Sequence, residues 1–206
     1  MNYEILYTFC FATATLAIAP GPDNIYVMMQ SIVNGKKYGL ATVVGLISGC
    51  LVHTTLLAFG VSVIIKENDK LFFIIKLFGA IYLLFLAYKA YKSDLSFNTS
   101  NDMPKKSLWG LFRQGFIMNV LNPKVTIFFL AFFPGFLFSA EMSTVWQFFI
   151  LGGLFMGVSF VVFSLIALLA GSISTYFEKH SKARVFLKWL QVFVFVGIAA
   201  YVLLSE

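Results

Sequence analysis

Six long apolar stretches run through the chain, separated by short polar segments: Ile5–Ile32, Leu40–Ile65, Leu71–Tyr88, Gly115–Leu137, Val145–Gly171 and Phe186–Leu204. Each reaches or exceeds the roughly 17–25 residues with which a helix crosses a hydrocarbon core of about 30 Å. Transmembrane strands would be about half as long and would alternate polar with apolar side chains, a pattern missing here. Backbone groups in lipid must bond within their own segment, so the stretches are predicted to be helices. The expected fold is an all-α integral membrane protein with six transmembrane helices.

The longest polar stretch, 93–106, divides the chain 1–206 into halves 1–92 and 107–206 with three spans each. An odd number of spans per half inverts one half relative to the other if the two are related, a common transporter plan. No other boundary is visible, and the chain reads as a single transmembrane transporter domain. Ala17-Ile18-Ala19 imitates a leader cleavage site. However, Met1-Asn2-Tyr3-Glu4 lacks a basic residue, the apolar run is long and Pro20 follows directly, so the segment is read as the first span.

Composition narrows the class. Of 206 residues, 60% are hydrophobic and 12% charged, against about 25% charged in soluble domains; membrane lipid is the solvent of most of this chain. The net charge of +6 is spread over short loops, which argues against a nucleic-acid patch. Lys36, Lys37, Lys89, Lys92, Lys105, Lys106, Arg113, Lys179, Lys182, Arg184 and Lys188 fall on one side of the predicted membrane. Lys66 and Lys70 fall on the other, with Lys76 just inside span three. Basic residues mark the cytoplasmic side, so both termini are expected in the periplasm of an inner-membrane, multi-pass protein. Lys76 and Lys188 are close enough to span ends to snorkel. Cys10 and Cys50 lie within spans and read as small buried apolar residues. The stripe Tyr82, Tyr88, Tyr91 reads as an interfacial belt.

Two spans break the simple apolar pattern, each the first of its half. Span one holds Pro20-Gly21-Pro22-Asp23-Asn24, and span four holds Asn119-Val120-Leu121-Asn122-Pro123-Lys124. Prolines remove backbone donors and clash with the preceding turn, while Pro22 and Pro123 suit the first position of a new half-helix and Asn122 suits its N-cap. Exposed backbone groups at membrane depth are tolerated where they line a cavity. Asp23 lies nine residues before Ile32 and Lys124 nine residues after Gly115, so the helical rise puts both roughly 13–14 Å inside the membrane. Charges at that depth are costly unless paired or hydrated.

Half-helix N-termini attract a carboxylate, and the carbonyls ending the first half-helix, with Asp23, attract an ammonium. A zwitterionic amino acid satisfies both, although other small polar solutes fit the same logic. Asp23 can instead carry a coupling proton, or simply cap its own half-helix. His53 follows Gly45 and Gly49 on one helix face; it is a proton-relay candidate or a partner for a neighbouring backbone group, and the glycines read as a close packing face. Gly152, Gly153 and Gly157 read as packing residues as well. No HExxH, GxSxG, CxxC pair or phosphate-binding loop occurs, so neither enzyme chemistry nor a cofactor is indicated. The candidate substrate and coupling residues are Pro20, Gly21, Pro22, Asp23, Asn24, His53, Asn119, Asn122, Pro123 and Lys124, with no catalytic or metal set.

These residues carry a resemblance. Pro20-Gly21-Pro22-Asp23-Asn24 with Gly35, Gly39, Gly45 and Gly49 resembles the first-span signature of the LysE/RhtB amino-acid exporters. Gly79-Ala80-Ile81-Tyr82-Leu83-Leu84-Phe85-Leu86 is similar to their third-span motif. Phe112-Arg113-Gln114-Gly115, Asn119, Leu121-Asn122-Pro123-Lys124 and Pro134 are similar to their fourth. Ala87 and Gly135 depart from the family pattern, away from the candidate site. The resemblance implies six helices, an inner-membrane location and efflux of amino acids or their derivatives by antiport against the proton or ion gradient. A homo-oligomer is compatible with it. The superfamily also holds heavy-metal cation exporters, the alternative reading, although no Cys, Met or carboxylate cluster of the kind soft cations want stands near the breaks.

Overall fold

The computed structural model describes residues 2–63, 69–92 and 106–204. Lys66, Lys105 and nearly all of the polar stretch 93–106 lie outside the described residues. The described ones are almost entirely helical: α1 Tyr3–Ile18, α2 Pro22–Val33, α3 Lys36–Leu56, α4 Asp69–Lys92, α5 Leu108–Val120, α6 Pro123–Phe132, α7 Thr144–Lys179 and α8 Ser181–Leu204. A π-helical turn at Leu57–Val61 extends α3, and a 3₁₀ turn at Phe133–Phe136 extends α6.

Four helices are long and apolar enough to cross a membrane, and there are up to six spans if each of two bent pairs counts as one. The bent pairs are α1 with α2, at 60°, and α5 with α6 through Phe136, at 51°. Both bends fall where proline chemistry predicts them.

Side-chain capping fixes several starts. Asn2 accepts the Glu4 N–H at 3.1 Å to open α1, and Ser107 accepts the Gly110 N–H at 3.1 Å to open α5. The helix that carries the fourth apolar stretch therefore begins at Leu108, ahead of the stretch's own start at Gly115, because a serine cap starts it in its polar approach. Helix α7 likewise runs past Gly171 to Lys179. At about 1.5 Å per residue its length is roughly 54 Å, well beyond a hydrocarbon core. The turn between α2 and α3 needs Gly35, whose φ of +104° is left-handed backbone that a side chain would strain.

Helices in lipid associate through close packing, and here glycines allow it between α3 and α5. A Cβ on Gly45 would run into the Phe112 carbonyl, one on Gly115 into the Thr42 carbonyl, and one on Gly49 would lie 2.7 Å from the Asn119 amide oxygen. Beside this contact, α6 supplies an aromatic core. Phe129 stacks on Phe133 at 4.1 Å and Phe128 on Phe132 at 4.4 Å, with Phe9 and Phe155 closing the cluster.

Two packing expectations need correction. Gly152 does pack, against Thr54, but Gly153 and Gly157 are exposed with open space where a Cβ would stand; they point away from the bundle. Lys76 does not snorkel into the open. It is only 7% exposed, with its ammonium 5.4 Å from the Phe72 ring centroid, because its face of α4 turns toward neighbouring helices.

Candidate functional site

Helix α1 ends because Pro20 and Pro22 withhold the N–H groups that would continue its ladder. The Ala19 N–H still reaches the Thr15 carbonyl at 3.1 Å. The Ala17 carbonyl, further along the same end, takes a 2.8 Å hydrogen bond from the Asn24 side-chain amide, so Asn24 ties the second half-helix back onto the first. Gly21 is the N-cap of α2 in extended backbone, φ −157°, and no side chain caps that helix start. A Cβ on Gly21 would make only ordinary contacts, the nearest with Lys124 Nζ at 3.5 Å. Glycine here keeps a wall open; the backbone does not require it.

The second break is built differently. The Asn122 Oδ1 accepts the Lys124 N–H at 3.0 Å, capping α6, with Pro123 at its first position. The same side chain donates its Nδ2 to the Asp23 Oδ2 at 2.9 Å, across 99 residues of sequence. Only one amide orientation serves both bonds, since a carboxylate accepts and a backbone N–H donates. The Asp23 carboxylate therefore faces the other break instead of capping its own half-helix, and one of the readings open from sequence is closed. Lys124 approaches the same place, with its Nζ 5.1 Å from the Phe195 ring centroid.

Asn119 sits on the turn that ends α5. Its carbonyl accepts the Asn122 N–H at 3.0 Å and lies 3.1 Å from the His53 Nε2. A carbonyl can only accept, so Nε2 carries the proton. His53 is thus a buried partner of a backbone group at the second break.

Between the breaks lies a cavity of about 50 Å³, room for a few water molecules. Gly21, Pro22, Asp23, Asn24, Asn119, Asn122 and Lys124 line it, and Pro20, Pro123 and His53 do not. The two prolines make the breaks, and His53 holds the strand of backbone behind Asn119. Sequence reasoning missed Cys50 and Ser159, together with the apolar wall of Leu46, Phe128, Phe155 and Phe163. Cys50 is correspondingly more than core filler; its Sγ lies 3.7 Å from the Asn119 Oδ1. Phe155, Ser159 and Phe163 recur every four residues, one face of α7, and a serine framed by that repeat was the available signal. Among the described residues no three His, Cys, Asp or Glu side chains converge on a point where a metal ion could be held.

A multi-pass membrane bundle whose two bent helix pairs meet over a small cavity that holds Asp23, Asn122 and Lys124 among its lining residues has the architecture of a solute transporter. Comparison with known proteins places it more narrowly. The family model described as LysE type translocator matches residues 14–206, and the chain belongs to that family. It is 28% identical to the leucine efflux protein of Salmonella typhimurium over 97% of this chain and 93% of that one. It is also 28% identical to the homoserine/homoserine lactone efflux protein of the same organism, over 89% of each chain. No solved structure matches the chain.

Proposed function

We propose that this protein exports amino acids or amino-acid derivatives across the bacterial inner membrane, driven by the proton gradient, with the cargo held where the two helix breaks meet. The observation that carries this reading is the Asn122–Asp23 hydrogen bond. It joins the breaks at one cavity that offers an anionic and a cationic group together. The cargo ammonium is assigned to Asp23 and the carbonyl end of α1. Its carboxylate is assigned to Lys124 and the N–H groups at the uncapped start of α2, which carries a positive dipole end. The side chain faces the apolar wall. Relatives named for leucine and homoserine efflux agree with a small zwitterion. A cavity of about 50 Å³ is smaller than such a cargo, so the transport cycle includes a state in which the bundle opens further.

Counterflow in proteoliposomes tests the reading. Vesicles holding the purified protein and loaded with an unlabelled amino acid should accumulate the labelled one from outside, above empty vesicles, for at least one of leucine and homoserine. A full panel of amino acids with no counterflow would refute it.

The proposed orientation keeps both termini periplasmic and the two halves inverted, with 93–106 joining them on the cytoplasmic side. In a background free of Cys10 and Cys50, Lys36→Cys should react with a membrane-impermeant thiol reagent in inverted vesicles and not in intact spheroplasts. The opposite pattern would reverse the topology.

A further inference from the structure

Hydroxyls inside apolar helices normally return to their own backbone. Here Thr15, Thr42, Ser48, Thr54 and Thr55 each donate to the carbonyl four residues back, at 2.8–3.1 Å. Ser159 lies in the uninterrupted helix α7 and does not. Its residue is 2% exposed, and its Oγ is buried without a hydrogen-bond partner. Thr13, Ser31 and Ser164 share that condition, but of the four only Ser159 lines the cavity between the breaks. On α7 it stands between Phe155 and Phe163, which also line the cavity, so a polar atom is placed in a wall that is otherwise apolar. Leaving a buried hydroxyl unpaired is costly, and the cost disappears when a cargo atom supplies the partner.

We infer that Ser159 is a specificity residue: its hydroxyl hydrogen-bonds a polar atom on the cargo's side chain and favours hydroxylated amino acids over purely aliphatic ones of equal size. This rests on the proposed amino-acid export and deepens it. The charged groups at the breaks lie on α2 and α6 and take the cargo's head group. Ser159, on α7, belongs to the wall assigned to its side chain.

Homoserine and norvaline test this, because they differ only by hydroxyl against methyl. The ratio of homoserine to norvaline counterflow should fall by roughly 3- to 10-fold in Ser159→Ala, the range that one neutral hydrogen bond supports. It should fall in the near-isosteric Ser159→Cys too, whose thiol is a weak donor. Ser164→Ala, which removes an unpartnered hydroxyl of the same helix outside the cavity lining, should leave the ratio as it is. A ratio unchanged within about twofold in Ser159→Ala, a difference below that of a typical hydrogen bond, overturns the role of Ser159 while export stands. An equal fall in Ser164→Ala overturns it as well. A wild-type protein that carries other amino acids but neither of these two overturns this inference alone, whereas no counterflow across the full panel overturns the export reading with it.

Discussion

Asp23→Asn is expected to abolish export driven by a pH gradient while the protein still reaches the membrane at normal levels. The substitution is isosteric, and the new amide oxygen can still accept the 2.9 Å hydrogen bond now made by Asn122, so the junction between the breaks survives. What disappears is the negative charge and the exchangeable proton. If the carboxylate holds cargo ammonium, losing a hydrogen bond to a charged group removes about 1.5–3 kcal/mol of binding, and counterflow falls roughly 10- to 100-fold. If it carries the coupling proton, counterflow persists and only uphill transport fails. Uptake into inverted vesicles under an imposed pH gradient, normalised to protein in the membrane, is the measurement. Near-normal uptake by Asp23→Asn would leave the carboxylate no part in transport.

Much of this arrangement was legible because proline acts locally. Pro20-Gly21-Pro22 and Asn122-Pro123 dictate breaks whatever surrounds them, and the capping role of Asn122 follows from its place before Pro123. Its second bond, to Asp23, spans 99 residues, and no local rule supplies a partner at that distance. The cavity wall was hidden for a different reason. In a membrane protein the side chains facing lipid are as apolar as those facing the interior, so Phe155 reads like Phe160, although one is 7% and the other 43% exposed. The same ambiguity explains the misreadings. Gly153 and Gly157 have the composition of a packing face without its orientation, and Lys76 stands near a helix end but on a buried face. For His53, sequence left a relay and a backbone partner open, and the Asn119 carbonyl at 3.1 Å supplies the second.

Lys124→Met is the second large effect, and it bears on the central claim that the two breaks together read a zwitterion. Methionine keeps much of the aliphatic length of lysine and removes the ammonium, which stands beside Gly21 and over the Phe195 ring. If the cargo carboxylate meets that ammonium, the variant should bind its amino acid more weakly by about 1–3 kcal/mol, roughly 5- to 150-fold in Kd. An analogue whose carboxylate has been amidated should lose little, because it never used the charge. If Lys124 merely neutralises Asp23, the double variant Asp23→Asn, Lys124→Met should regain stability and part of the transport that each single change removes. The deciding measurement is competition against labelled leucine, or the amino acid ranked first by counterflow, on purified wild-type and Lys124→Met protein, using the free amino acid and its amide. Convergence of the two affinities in Lys124→Met, through a selective loss for the free acid, is the predicted result. Equal losses for acid and amide, with recovery in the double variant, would contradict it.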